Sequence, residues 1–186
     1  GIADNGYGIV AENASVACGF ITLKKDTLRA LQFFFNHTQD EENAEEAIDL
    51  VVWVNSGNAP GKELYRISGV NPAFADNLNE FYTYQLSDEL ILDAGKYFIG
   101  WEQTENIYLN IGFDKSVNRQ NDIFYNINGS WTNTQYEGTL MIRPVFGSEL
   151  PQTVEETQLE QASSFDLYPN PAKDELIIEN EQLKIN

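Results

Sequence analysis

A chain of 186 residues with 42% hydrophobic and 12% aromatic side chains can build one cored domain and still carry an appendage. Its 29 acidic against 11 basic residues, a net charge of −18, exclude phosphate-tracking nucleic-acid binding and disfavour adsorption to anionic membranes, while leaving cation binding open. Cys18 is the only cysteine and His37 the only histidine, so neither an intramolecular disulfide nor a histidine cluster can form within the chain, and no run approaches the ~18 apolar residues of a membrane-spanning helix.

In chain order, the apolar run around Cys18 reads that residue as a small buried hydrophobe, and Phe20 to Leu23 is the first predicted strand. Leu28 to Asn36 is the second, apolar on both faces. Ile48 to Val54 is a continuous apolar run, the mark of a central sandwich strand, and it ends in the dense turn chemistry of Asn55 to Gly61. Asp40 to Ala47 has a helix-like composition, but its acidic residues predict a solvated loop or single turn. Glu63–Ile67, Phe81–Leu86 and Tyr97–Trp101 follow as strands. The clearest alternation is Ile107 to Phe113, with Ile107, Leu109, Ile111 and Phe113 on one face and Tyr108, Asn110 and Gly112 on the other. Ile123–Ile127 and Thr139–Phe146 complete the set, and Pro144 predicts that the last strand lies at an edge or is bulged. About nine strands separated by turn signals predict an all-β fold, a β-sandwich, over residues 1–147. Residues 148–164 are polar and without alternation, and read as a linker.

Three groups of residues carry candidate chemistry. The polar loop from Asp114 to Asp122 offers calcium-type oxygen ligands in Asp114, Asn118 and Asp122, although Lys115 and Arg119 would repel a cation and an ordinary hairpin loop accounts for the same residues. Trp131, in a turn-rich stretch, together with Tyr125, Asn126, Asn128, Asn133 and Tyr136, would make an aromatic-amide patch for a sugar ring; the competing reading is a tryptophan that pins a loop to the sandwich. Trp53 and Trp101 read as core. No glycine pattern of a nucleophile elbow surrounds any serine, and no local motif singles out a carboxylate pair for glycoside hydrolysis, so the chain is read as non-catalytic.

Near the end stands a rigid turn, Tyr168-Pro169-Asn170-Pro171, followed by Ala172 and flanked by two short strand signals, Phe165 to Leu167 and Leu176 to Ile178. This segment resembles the start of the C-terminal sorting domain of cargo of the Bacteroidetes type IX secretion system, in which a (V/L)-YPNPA turn precedes an L-x-I strand. The resemblance assigns Phe165, Leu167, Tyr168, Pro169, Asn170, Pro171, Ala172, Leu176 and Ile178 to the sorting motif. It implies the type IX machinery as partner and a secreted or outer-membrane cell-surface location in a Gram-negative bacterium. Such cargo carries an N-terminal secretory leader and a longer sorting domain, so the chain is read as a mature or truncated piece, with residues 165–186 the start of the sorting domain.

Asn5–Ile9, Val52–Tyr65, Ala94–Gln103, Leu109–Asp114, Ile123–Asn126 and Gly138–Gly147 are similar to a jelly-roll module of modular Bacteroidetes surface proteins. That resemblance implies a sandwich of jelly-roll type and a non-catalytic accessory or spacer module C-terminal in a larger exported protein. The alternative is a carbohydrate-binding, lectin-like accessory module. Asp26-Thr27-Leu28 resembles the O-glycosylation pattern of exported Bacteroidetes proteins and makes Thr27 a candidate modification site. No cofactor is expected other than calcium.

Overall fold

The computed structural model describes residues 3–36, 45–74, 80–147, 166–168 and 177–179. The chain divides into two units, Gly1–Leu150 and Pro151–Asn186. The first holds β1 (Asn5–Tyr7), β2 (Ala14–Thr22), β3 (Asp26–Phe33), β4 (Ile48–Ser56), β5 (Ala59–Val70) and β6 (Tyr82–Leu92). It continues with β7 (Gly95–Gln103), β8 (Ile111–Asp114), a single 3-10 turn at Gln120–Asp122, β9 (Ile123–Asn126), β10 (Trp131–Asn133), β11 (Thr139–Leu140) and β12 (Ile142–Phe146). The second unit holds the antiparallel pair β13 (Asp166–Tyr168) and β14 (Ile177–Glu179).

The first unit is an all-β sandwich. One layer is a six-stranded sheet in the order β10-β9-β2-β7-β4-β5; the other combines the ladders β1-β8-β11 and β12-β3-β6. The chain passes between layers from β2 to β3 to β4 and again from β5 through β6, β7 and β8 to β9, the jelly-roll manner of joining two antiparallel sheets. Among the described residues of this unit twelve strands stand where about nine are expected from turn spacing. The surplus comes from β1, β10 and the division of the last predicted strand into β11 and β12.

Period-2 alternation builds the core between the layers. Ile48, Leu50 and Val52 of β4 face inward beside Ile99 and Trp101 of β7 and Val16 and Cys18 of β2. Leu28, Leu31 and Phe33 of β3 meet them from the other layer. Those three are out of step with strict alternation because a register shift between Leu28 and Ala30 turns the strand over, which is why the sequence of β3 is apolar on both faces. Each fully buried large apolar side chain of this kind contributes about 1.5–3 kcal/mol. The β4–β5 hairpin closes through Gly57 and Asn58, both at positive φ (59° and 70°), the two-residue turn whose twist suits antiparallel strands. Pro144 lies in β12, paired to β3 and at the edge of its ladder, where its missing N–H costs nothing.

Some predicted strand limits are corrected. The first strand starts at Ala14, and Leu23 lies beyond it, exposed in the following turn. Ile107 to Asn110 alternates in burial yet belongs to no ladder; β8 starts only at Ile111. The backbone of that stretch is held otherwise, the Ile107 carbonyl by the Gln103 side chain and the Asn110 carbonyl by the Asn36 N–H. Of the acidic stretch Asp40–Ala47, residues 40–44 lie outside the described residues and Glu45–Ala47 form no helix.

A second apolar cluster lies on the outer face of the six-stranded sheet. Ala17, Val51, Trp53, Phe98 and Phe124 form it, and Trp131 packs against it. Trp53 is therefore buried, as its apolar strand predicts, but on the face away from the inter-sheet core. Next to it Arg66 bonds the carboxylates of Glu63, Asp49 and Glu102, and these hydrogen bonds, Glu63's first, raise its pKa.

Candidate functional site

A cleft of about 960 Å³, open to solvent, lies at one end of the sandwich. One wall is the run Asn5 to Ile9, that is β1 and the two residues after it. Alongside it, continuing the antiparallel pairing of β1 with β8, run Tyr108 and Asn110, from the stretch before β8. Tyr125 and Ile127 come from β9 and the turn beyond it, and Thr134 to Glu137 form the lip. Tyr108, Ile127 and Tyr136 are among the exposed large hydrophobic residues of the molecule, with Tyr108 at 53% and Tyr136 at 68%. Their gathering at one concavity, ringed by the amides of Asn5, Asn110 and Gln135, is the composition of a ligand site: apolar ring faces with a few directed polar groups.

The rings are braced from beneath. Tyr7 is buried, packs on Phe113 with ring centroids 5.6 Å apart, and meets Tyr136 edge-on at 6.2 Å. Burial raises the Tyr7 pKa against the opposing effect of a hydrogen bond with Thr134, so its phenol stays neutral. The walls touch at Gly8: a Cβ there would lie 2.2 Å from the Leu109 carbonyl oxygen, so only glycine lets the two segments approach this closely.

The loop from Asp114 to Asp122 braces the lip. Asn118 Oδ1 accepts from the N–H groups of Gln120 and Gly138, and the Arg119 N–H donates to the Gly138 carbonyl. Gln120 Nε2 donates to the Thr134 carbonyl, and Asn133 Nδ2 donates to the carbonyls of Gln120 and Ile123. The three candidate calcium ligands are thus directed to separate partners. Asp114 accepts from the backbone and hydroxyl of Ser116, and Asp122 is met by Lys96 Nζ at 2.7 Å and Arg119 Nε at 3.1 Å. Among the described residues no group of three or more His, Cys, Asp or Glu side chains is arranged to hold a metal ion.

The six residues of the predicted sugar patch are split. Tyr125 and Tyr136 line the cleft. Trp131 pairs with Asn126 across the β9–β10 ladder, and neighbouring strand positions alternate faces, so both stand on the side of the sheet opposite Tyr125. There Trp131 is half-buried, edge-on to Trp53 at 5.4 Å, a tryptophan that pins its loop to the sheet. Asn133 is occupied by backbone carbonyls, and Asn128 sits exposed in the turn before β10. Tyr7, Tyr108, Asn5 and Asn110 were not singled out from sequence. Only for Tyr108 and Asn110 did a signal exist, as polar partners on the outward face of an alternating run.

Thr27 is half-buried near the start of β3, paired with Ile91 of β6. Of the sorting-motif residues, Leu167 and Tyr168 lie in β13 and Ile178 in β14; Phe165, Pro169, Asn170, Pro171, Ala172 and Leu176 lie outside the described residues, as does His37. Among the described residues no helix is long and apolar enough to cross a membrane. Comparison with protein-family models, with curated proteins and with solved structures returns no match.

Proposed function

We propose that this chain is an accessory module of a larger exported surface protein, and that its tyrosine-lined cleft binds a saccharide. The observation that carries the reading is the convergence of Tyr108, Tyr125 and Tyr136 with side-chain amides on one open cleft. Sugar recognition needs apolar ring faces for stacking and paired donors and acceptors for hydroxyl groups, and the cleft supplies both. Its size lies at the upper end of the roughly 300–1,000 Å³ usual for ligand sites, which favours a chain of several linked sugars over a single ring. A module that acted only as a spacer would need no such concavity. Delivery by the type IX route rests on the resemblance of residues 165–178, and the antiparallel pairing of Asp166–Tyr168 with Ile177–Glu179 supports it, since two short strands about the proline turn are what that motif requires.

The test is a glycan array probed with the chain and with two variants. Tyr136→Ala removes an exposed ring and is expected to weaken binding at least about tenfold, a stacking contact's worth, with an unchanged thermal midpoint. Trp131→Ala is expected to lower the midpoint and leave the specificity of binding intact. Silence across a broad array, or hits abolished by Trp131→Ala and indifferent to Tyr136→Ala, would overturn the cleft as a saccharide site.

A further inference from the structure

We infer that Gln103 is a positioning residue of the cleft, a buried side chain whose amide ties together the two lining segments beyond the end of the β1–β8 ladder. Gln103 ends β7 on its inward row, after Tyr97, Ile99 and Trp101, and is 2% exposed. Its Oε1 accepts from Trp101 Nε1 at 3.2 Å, which fixes the orientation of the amide and turns Nε2 the other way. Nε2 then lies 3.1 Å from the carbonyl oxygens of both Ile9 and Ala11, 3.2 Å from that of Ile107 and 3.4 Å from that of Glu105. Two amide protons are shared among four acceptors.

Those carbonyls belong to the two segments that make the walls. Ile9 follows β1 and lines one side; Ile107 immediately precedes Tyr108 on the other. Residues 8–10 and 106–110 belong to no strand, so ladder hydrogen bonds do not hold them. The buried amide takes the place of a ladder for the carbonyls of Ile9, Ala11 and Ile107, while that of Glu105 also accepts from the Ile107 N–H. Tyr7 is held by the β1–β8 ladder, but the segments beyond it are tied by one group, so a change at Gln103 alters how Ile9 and Tyr108 lie beside each other without touching a tyrosine ring. This inference rests on the saccharide reading for its binding consequence only.

The experiment compares the full chain with Gln103→Met, which keeps length and apolar volume but has no donor, and with Gln103→Glu, which keeps shape and replaces the donor by an acceptor. Amide hydrogen exchange is followed in residues 5–11 and 105–110, with β4 as the internal reference, and affinity for the best array ligand is measured alongside. In Gln103→Met, exchange in both walls should rise about tenfold, the equivalent of one lost hydrogen bond, with β4 unchanged, and affinity should fall to a similar degree. In Gln103→Glu, wall protection, after correction for intrinsic exchange, should return as acid protonates the carboxyl and restores an O–H donor, a rescue that a space-filling role would not show. If Gln103→Met fails to fold, this acid rescue decides the question. Exchange that rises equally in β4, or walls that stay protected in both variants, would overturn the inference. If the wild-type chain binds no saccharide, the exchange results still decide the role of Gln103, so the two readings fail separately.

Discussion

Cys18 faces the inter-sheet core from β2, and burial pushes its thiol pKa up to about 12. Tyr84 of β6 is likewise pushed up to about 12 by burial, its hydroxyl donating to the Asn71 carbonyl and accepting from the Ala73 N–H. In the unfolded chain these groups give up their protons near pH 8.5 and 10. Both therefore favour the folded state fully below those values. As pH rises toward 12 the unfolded chain holds fewer protons than the folded one, and stability falls. Urea midpoints should be level with respect to these two groups between pH 6 and 8 and decline above about pH 9; Cys18→Val should remove the earlier part of the decline and leave the part due to Tyr84. The same burial keeps the thiolate scarce, so iodoacetamide should label Cys18 only as fast as the domain opens. Rapid labelling of the native chain at neutral pH would contradict this placement of β2.

Three strand segments meet at one ring of backbone hydrogen bonds: the Phe34 N–H donates to the Met141 carbonyl, Met141 to Gly112, and Gly112 to Phe34. This junction passes the last strand from β8 to β3 and joins the two ladders of the second layer. Gly112 is essential to it, because a Cβ there would lie 2.5 Å from Phe34 Cδ1 and 2.7 Å from Met141 Sδ. Gly112→Ala should cost about 1–3 kcal/mol, as overpacking of a filled core does, measured by urea unfolding. An undiminished midpoint would mean that Phe34 and Met141 repack freely. The junction also marks the limit of what the sequence discloses. Alternation reports which side of a segment is buried, and it named the inward residues of Ile107–Phe113 correctly. It does not report which segment lies alongside, so a wall held by Gln103 was read as a strand. β1 and β10 escaped because three residues, glycine-rich in one case and polar in the other, carry no period. The site was legible only in part for the same reason. Tyr125 and Tyr136 stood out as aromatics near turns, but the register Trp131↔Asn126, which sends Trp131 to the opposite face, is set by strand pairing. The contact of Gln103 with Ile9 spans 94 positions of sequence and leaves no local trace.

The whole molecule carries a net charge of −18, and several of its basic groups are already engaged at short range: Arg29 with Glu89 at 2.6 Å, Lys96 with Asp122 at 2.7 Å, and Arg66 with three carboxylates. The remaining acidic charge repels itself over distances that salt controls, since the screening length shortens from about 30 Å at 0.01 M to about 8 Å at 0.15 M ionic strength. Contact pairs at 2.6–2.7 Å lose less to screening than repulsions across the domain do. Sodium chloride should therefore raise the thermal midpoint over this range, with most of the gain below about 0.15 M. A falling midpoint would show that the ion pairs outweigh the repulsion. Calcium at matched ionic strength separates a specific site from general screening. Asp114, Asn118 and Asp122 are turned to partners within the protein, so calcium should shift the midpoint no further than sodium does. An excess shift that saturates with calcium, and that Asp122→Asn abolishes, would restore the loop as a metal site. Affinity for a neutral saccharide should stay flat through the same salt series, because tyrosine stacking and amide hydrogen bonds involve no net charge on the ligand. A steep salt dependence would instead point to a charged ligand, drawn to Lys115 or Glu137 in the cleft lining.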